Sequence, residues 1–268
     1  MSRIEEALAK ASQKQVTQKP PLGPAPGAIH AEKHQFDPAK ITNDKLVVLK
    51  DPASPEAEEY RKLKEALLKG SKDRESFDNV ILVTSPGHGE GKSLTTVNLA
   101  LSLAQDYDHT VLLVDADLRR PTCHRYLDIE PEIGLAECLL NGEDMSKALI
   151  KTGIGKLVFL PAGKPNRNPL EMFSSNSMRQ LLMEMKHRYR DRIILIDTPP
   201  VLMFAETRTL ADLVDGVIMV VREGETSLED VQESMGYLNN KVMGIVYNAT
   251  EFVQLNTHSY YYYSSCPA

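Results

Sequence analysis

Short apolar runs that alternate with helical segments constrain the fold of this chain more than any other feature. Six such runs occur between residues 80 and 248: VILVTS, TVLLVDAD, KLVFLPAG, RIILIDTPP, GVIMVV and KVMGIVYN. They are apolar throughout, which is typical of strands buried on both faces of a parallel sheet. Because helical segments separate the strands, right-handed crossovers are expected between them. The sequence therefore predicts a doubly wound, mostly parallel α/β fold.

The chain divides into four regions by composition. Residues 1–15 carry apolar side chains at helical spacing (Ile4, Ala7, Leu8, Ala11), which predicts a short amphipathic helix. Its apolar side either meets a membrane surface or another protein, or has no role. Residues 16–50, rich in Pro, Lys and Gln, are predicted to be a flexible linker. The folded domain is expected at 51–258, opening with a helix over 54–69, and residues 259–268 form a tyrosine-rich tail.

Composition excludes several classes of protein. A charged fraction of 25% and a hydrophobic fraction of 42% are typical of a globular domain in water. The amino-terminal residues lack the apolar core of a signal peptide, so a cytoplasmic location is expected. A net charge of −6 argues against nucleic acid as a partner. The three cysteines, Cys123, Cys138 and Cys266, have unrelated spacings and are expected to be reduced thiols.

The segment SPGHGEGKSL, between a predicted strand and a predicted helix, is the strongest chemical motif. Its glycines let successive backbone N–H groups point at phosphate oxygens, and the helix adds the positive end of its dipole. The residues expected around the phosphates of ATP are Gly87, His88, Gly89, Glu90, Gly91, Lys92, Ser93 and Leu94. Lys92 is expected to reach the β- and γ-phosphates. Pro86 replaces the first glycine of the strict pattern, ahead of the groups that hold phosphate.

Three aspartates end predicted strands, at the sheet edge where open α/β folds bind ligands. Asp115 and Asp117 end VLLVDAD, and Asp197 ends RIILID. Carboxylates in such a place need a positive partner. A Mg²⁺ site formed by Ser93, Asp117 and Asp197 is therefore predicted.

The order of these motifs, followed by a run of tyrosines, resembles the bacterial tyrosine kinases of exopolysaccharide and capsule assembly, within the ParA/MinD-like group of P-loop NTPases. The opening MSRIEEALAKA is similar to that of free-standing autokinases found with exosortase-linked systems. The resemblance implies that GHGEGKS is the Walker A motif, VLLVDAD the extra Walker A′ motif and ILID Walker B. It implies a kinase that phosphorylates its own tail on Tyr260, Tyr261, Tyr262 and Tyr263, and so regulates polysaccharide polymerisation and export.

In such a kinase, the predicted catalytic residues are Lys92, Asp115, Asp117 and Asp197. Lys92 and Mg²⁺ would neutralise the charge that develops on the transferring group. Either Asp115 or Asp117 would position or deprotonate the phenol, and the sequence leaves open which one. Arg119 would stabilise the phosphoryl group or serve only as a surface salt-bridge partner.

The resemblance also implies partners. These are further copies of the chain in a ring, a transmembrane polysaccharide co-polymerase that activates the kinase at the inner membrane, and a cognate tyrosine phosphatase. The chain would then be cytoplasmic and peripheral to the membrane through its partner. The family's oligomerisation motif E-x-x-R-x-x-R falls on Glu58, Arg61 and Lys64, where lysine keeps the charge but loses the bidentate fork.

Two other functions fit part of the sequence. ATPase switches of the ParA/MinD type hydrolyse ATP to position or assemble a partner complex, and they carry a signature lysine five residues ahead of the P-loop lysine. Gly87 occupies that position in this chain. A scaffold without catalysis would not require the complete set of lysine, serine and aspartates. The tyrosine run favours the kinase over both.

Overall fold

The computed structural model describes residues 38–72, 79–106, 108–165, 168–188 and 192–250. The strands are β1 Val80–Thr84, β2 Thr110–Asp115, β3 Ile150–Lys151, β4 Leu157–Leu160, β5 Arg192–Asp197, β6 Gly216–Arg222 and β7 Val242–Asn248. The α-helices are α1 Val47–Lys50, α2 Pro55–Lys72, α3 Lys92–Ala104, α4 Cys123–Tyr126, α5 Leu135–Asn141, α6 Met145–Ala148, α7 Pro169–Phe173, α8 Asn176–Arg188, α9 Ala205–Ala211 and α10 Leu228–Tyr237. A 3₁₀ turn over Pro38–Lys40 precedes them.

The seven strands form one sheet in the order β3-β4-β2-β5-β1-β6-β7. All neighbouring pairs are parallel except β3 with β4, which is antiparallel. The predicted mostly parallel, doubly wound fold is therefore confirmed. The two-residue strand β3 was not predicted, because it is too short to leave a pattern in the sequence.

Alternate residues of the strands supply two cores on opposite faces of the sheet. Leu82 and Leu112 belong to one core, with buried residues of α5 to α9. Ile81 and Leu113 belong to the other, with buried residues of α1 to α4. Because both faces are covered, the strands are apolar throughout, and every residue of β1 and β5 is buried.

Residues 41–50 correct the predicted linker. Ile41, Leu46 and Val48 are almost fully buried against the core beside α3. The backbone N–H of Val48 donates to Oδ1 of Asn98 at 3.3 Å, and the Asn98 amide donates to the carbonyl of Lys45 at 3.1 Å. The prediction averaged composition over residues 16–50, so the polar majority masked the short apolar run LVVL. The last ten residues of that segment belong to the folded domain.

The leading helix lies where it was predicted. Ser54 precedes α2, and its hydroxyl accepts a hydrogen bond of 3.1 Å from the N–H of Ala57, as an N-cap does. The predicted amino-terminal helix at 1–15 and the tail at 259–268 lie outside the described residues. Among the helices that are described, none combines the length and apolarity needed to cross a bilayer.

Candidate functional site

The loop between β1 and α3, residues 85–91, leads into the amino end of a 13-residue helix. Gly89 and Gly91 have φ angles of 79° and 91°, which residues other than glycine rarely adopt. A Cβ atom on Gly91 would lie 2.0 Å from the side-chain nitrogen of Asn248. That nitrogen donates to the carbonyl of Glu90 at 2.9 Å. Position 91 therefore needs glycine for two reasons: its φ angle is positive, and a side chain there would clash with Asn248.

Pro86 does not disturb this loop. Both left-handed positions of the loop come after it, so a φ fixed near −65° at residue 86 is compatible with the path of the chain. The free N–H groups of the first turn of α3 and the helix dipole face the same loop. The arrangement has the features of an anion-binding site, as the motif predicts.

Lys92 lies at the centre of the site. Its ammonium is 3.3 Å from Oδ2 of Asp117 and 3.3 Å from Oγ of Ser93. Burial alone would lower the pKa of Lys92, but the charges of Asp197 and Asp117 together outweigh it, and the pKa is raised. The lysine is therefore held as a cation at the mouth of the phosphate-binding loop.

Asp115 and Asp197 end the adjacent strands β2 and β5 in direct register. Both are completely buried. Burial, together with the charge of Asp197, raises the pKa of Asp115 to about 8. Burial also raises the pKa of Asp197, although Lys92 opposes this. Two such carboxylates make an unfavourable pair unless a cation lies close to them.

The donors around Asp197 fit a hard divalent cation. Its carboxylate is hydrogen-bonded by Ser93, and its Oδ1 lies 3.3 Å from the hydroxyl of Thr96. Carboxylate and hydroxyl oxygens are the ligands that Mg²⁺ prefers. The predicted metal-binding residues Ser93 and Asp197 are thus brought together, and Asp117 lies across Lys92 from them. The fold and these donors define a nucleotide site with a divalent metal.

The two aspartates of the VLLVDAD motif have different surroundings. Asp115 accepts three backbone hydrogen bonds of 3.1 Å, from the N–H groups of Asp117, Thr122 and Cys123. Both of its oxygens are therefore engaged in holding the segment that follows β2. Asp117 is also buried, and its oxygens accept from the N–H of Arg120 at 2.9 Å and from the ammonium of Lys92 at 3.3 Å. Unlike Asp115, it lines an open cleft of about 260 Å³.

That cleft brings together His88, Asp117, Arg119, Arg120 and Phe204. The guanidinium of Arg119 is 4.8 Å from the centre of the Phe204 ring and pairs with the buried carboxylate of Glu206. His88 contacts the same ring edge-on, with 5.8 Å between ring centres. Arg119 is therefore a fixed cation on the wall of the cleft beside Asp117.

Two residues that hold the loop, Arg222 and Thr226, were not singled out from the sequence. Glu90 is buried, and its Oε1 accepts a hydrogen bond of 2.7 Å from Thr226, on the loop before α10. Arg222 donates to the carbonyl of Gly89 at 3.1 Å. These contacts tie the phosphate-binding loop to the end of β6. They depend on residues more than a hundred positions apart, so no local pattern indicated them.

Cys123, which the sequence predicted only to be a reduced thiol, also lies in the site. Its thiol is completely buried and donates to Oδ2 of Asp197 at 3.5 Å. Burial, followed by the charges of Asp115 and Asp197, raises the pKa of this thiol well above its usual value. The thiol therefore stays protonated beside the predicted metal ligand.

The other predicted residues are separate from this site. Leu94 packs partly buried against the core beneath the loop. Glu58 and Arg61 pair with each other on α2 at 2.6 Å, and Arg61 also donates to the carbonyl of Pro52 at 2.8 Å. Lys64 lies one turn further along the same helix. The four tail tyrosines fall outside the described residues.

Comparison with known proteins identifies the class first. The ParA family model, described as NUBPL iron-transfer P-loop NTPase, matches residues 76–265. This chain is a P-loop NTPase of the ParA type.

Individual proteins similar to this chain are tyrosine-protein kinases of bacteria. Tyrosine-protein kinase YwqD of Bacillus subtilis is 32% identical over 219 residues, which cover 81% of this chain and 90% of YwqD. The chain belongs to the bacterial tyrosine-protein kinases, as the motif order indicated. It spans 28% of the longer tyrosine-protein kinase etk of Escherichia coli K12, to which it is 28% identical over 206 residues.

Solved structures agree with this assignment. The kinase domain of Escherichia coli tyrosine kinase ETK is 27% identical, with a TM-score of 0.70, and the match covers 77% of this chain and 82% of that one. The chimerical protein CapA2B2 is 28% identical, also with a TM-score of 0.70, over 76% of this chain and 89% of the other.

Proposed function

We propose that this chain transfers the γ-phosphoryl group of Mg·ATP to tyrosine hydroxyls, including Tyr260, Tyr261, Tyr262 and Tyr263 of its own tail. The observation that carries the proposal is the Lys92–Asp117 ion pair of 3.3 Å at the edge of an open cleft. It joins the cation of the phosphate-binding loop to a carboxylate that lines this cleft. A nucleotide site and an acceptor site therefore share one boundary.

The phosphate side of the reaction falls to the loop and Lys92. The N–H groups of residues 87–94 hold the β- and γ-phosphates, with the α3 dipole behind them. Lys92 balances the charge that develops on the oxygens of the transferring group. Ser93 and Asp197 would hold Mg²⁺, which would supply further positive charge to the phosphate-binding site.

The acceptor side falls to Asp117. Asp115 is fully buried and accepts three backbone hydrogen bonds from the segment after β2, so we assign it the role of positioning that segment. Asp117 lines the cleft and can accept the phenolic proton, whose pKa near 10 makes base assistance useful. We therefore assign the acceptor role to Asp117 in preference to metal binding, for which the sequence also put it forward.

Arg119 serves the transferring group in this proposal. Its pairing with Glu206 and its stacking on Phe204 fix the guanidinium on the cleft wall. A fixed guanidinium can donate from its remaining N–H groups to phosphoryl oxygens. The alternative of a purely surface salt bridge does not account for the burial of Glu206, which is 2% exposed.

The cellular setting follows from the family. We infer a role in the assembly and export of exopolysaccharide or capsule, with activation by a transmembrane co-polymerase at the inner membrane. A tyrosine phosphatase would reverse the modification. Self-association through Glu58, Arg61 and Lys64 requires that Arg61 exchange its contacts within α2 for a neighbour's carboxylate. An Arg61→Ala variant that sediments like wild type would exclude this interface.

The test of the function is direct. The purified full chain is incubated with Mg·ATP, phosphotyrosine is mapped by mass spectrometry, and release of inorganic phosphate is measured in parallel. The proposal expects phosphotyrosine within residues 260–263. Phosphate release without phosphotyrosine would instead identify an ATPase switch.

A further inference from the structure

Cys123 contacts two buried aspartates, Asp115 and Asp197. Its Sγ is 3.5 Å from Oδ2 of Asp197, and its backbone N–H donates to Oδ2 of Asp115 at 3.1 Å. One ligand atom from each of Asp115, Cys123 and Asp197 lies within 4.8 Å of the other two. All three residues are buried.

One pair of ligand atoms in this group has the spacing of tetrahedral coordination. Zinc binds carboxylate oxygen at about 2.0 Å and thiolate sulfur at about 2.3 Å, so at the tetrahedral angle the two ligand atoms are about 3.5 Å apart. The separation of the Asp197 oxygen and the Cys123 sulfur is 3.5 Å. Small movements of Asp115 would complete a three-ligand set and leave the fourth position for water or a phosphate oxygen.

The ligand types separate this site from a magnesium site. Mg²⁺ takes hard oxygen ligands in octahedral geometry, and a thiol adds nothing to it. Thiolate sulfur selects zinc and similar ions, which bind sulfur, nitrogen and oxygen together. The nearby ammonium of Lys92 disfavours any cation, but Asp117 at 3.3 Å offsets its charge.

We propose that Asp115, Cys123 and Asp197 form a binding site for a thiophilic divalent cation of the Zn²⁺ class, and that this ion excludes Mg²⁺ by occupying Asp197. On binding, the S–H bond of Cys123 breaks, a sulfur–metal bond forms and the proton leaves to solvent, with no change of oxidation state. The binding itself needs only the residues named. The inhibition that follows from it rests on the proposed function, in which Asp197 holds Mg²⁺.

Cobalt(II) tests the site without reference to activity. The full chain, free of nucleotide and kept reduced without a thiol reagent, is titrated with Co²⁺ in the absence of Mg²⁺. The expected result is the near-ultraviolet absorption of a thiolate–cobalt bond in wild type and in Cys138→Ser, whose thiol is buried elsewhere in the fold. Cys123→Ser and Cys123→Ala should both lack it, and Zn²⁺ should remove it from wild type.

A second measurement tests the competition. With Zn²⁺ at about ten times its own dissociation constant, the Mg²⁺ concentration needed for half-maximal binding of a fluorescent ATP analogue should rise about tenfold in wild type and stay unchanged in Cys123→Ala. Melting temperatures verify that the variants are folded.

Absence of the absorption band from wild type, or its persistence in a folded Cys123→Ala protein, would overturn the site. A normal band with no effect of Zn²⁺ on nucleotide binding would overturn the exclusion of Mg²⁺. Loss of tyrosine phosphorylation alone would bear on the proposed function only.

Discussion

Asp115 and Asp197 are register partners at the ends of the adjacent parallel strands β2 and β5, and both are completely buried. The sheet thus brings two carboxylates from distant parts of the chain to one point. Each has a raised pKa through burial, and the charge of Asp197 adds to the effect on Asp115. Lys92 is the cation of the phosphate-binding loop whose charge opposes this shift at Asp197. The negative charge of this pair therefore favours a further cation close to it.

Replacement of Lys92 by methionine should lower the rate of tyrosine phosphorylation by about 10²-fold or more, because the transferring group loses the cation that the phosphate-binding loop supplies. The rate is measured by single-turnover labelling with Mg·ATP. Lys147→Met is the matched control, since Lys147 forms an exposed ion pair with Glu143 far from the loop. A folded Lys92→Met protein that labels at the rate of wild type would show that the site is misassigned.

Asp197→Asn and Asp117→Asn should separate metal binding from acceptor activation. Loss of Asp197 should weaken nucleotide binding in Mg²⁺ much more than binding in chelator, because it removes a ligand of the metal. Loss of Asp117 should lower turnover by about 10²-fold with little change in affinity, as expected for a general base. Nucleotide titrations with and without Mg²⁺, alongside turnover rates, distinguish the two. Equal losses of nucleotide affinity in the two variants would contradict the assignment of different roles to Asp197 and Asp117.

The stability of the metal-free protein should fall as the pH rises from about 4 to about 8. Folded Asp115 has a pKa of about 8, whereas an unfolded aspartate has a pKa of about 3.9. Between these values the native state holds a proton that the unfolded chain has released, so each rise in pH favours unfolding. Urea unfolding in chelator measures the slope. Asp115→Asn should reduce the slope of the free energy of unfolding against pH. The same slope in wild type and in Asp115→Asn would contradict the prediction.

Removal of residues 1–35 should leave the melting temperature and nucleotide binding nearly unchanged, since the sequence predicts a detached helix and a linker there. Association with membranes or with an activator should decrease. Leu46→Ala is the contrasting variant. Leu46 is completely buried, so the Leu46→Ala substitution should lower the free energy of unfolding by about 2–5 kcal/mol. A large drop in melting temperature on deletion of 1–35 would show that those residues pack on the domain.

Phosphorylation of the tail should loosen self-association. Each phosphate adds about −1.5 to −2 charges, so four would add about −6 to −8 to a chain whose net charge is −6. This charge would lie beside Asp117 and Asp197 of a neighbouring copy, where repulsion outweighs the contacts of a short tail. The variant with Tyr260–Tyr263 replaced by phenylalanine should stay assembled in ATP. Sedimentation at matched salt measures this, and equal sizes before and after full phosphorylation would exclude the switch.

Local patterns in the sequence determined much of the fold and part of the site. Apolar runs alternating with helices require a sheet covered on both faces, because such strands have no polar face to give to water. The glycine pattern around Lys92 predicted the phosphate-binding loop, and Gly89 and Gly91 adopt the left-handed torsions that only glycine accepts readily. The apolar runs also predicted that Asp115 and Asp197 end strands, and both lie at the carboxyl ends of β2 and β5.

Tertiary structure decided which of these residues meet. The insertion of β5 between β1 and β2 sets Asp197 opposite Asp115, and no local pattern specifies the order of parallel strands. Asp115 is enclosed and Asp117 lines the cleft because of how the chain turns after β2. Cys123 reaches Asp197 for the same reason. The sequence alone determined the kinds of groups in the site, through patterns that act over a few residues. Their distances, burial and division of roles arise from contacts between residues far apart in the chain, which only the packed sheet fixes.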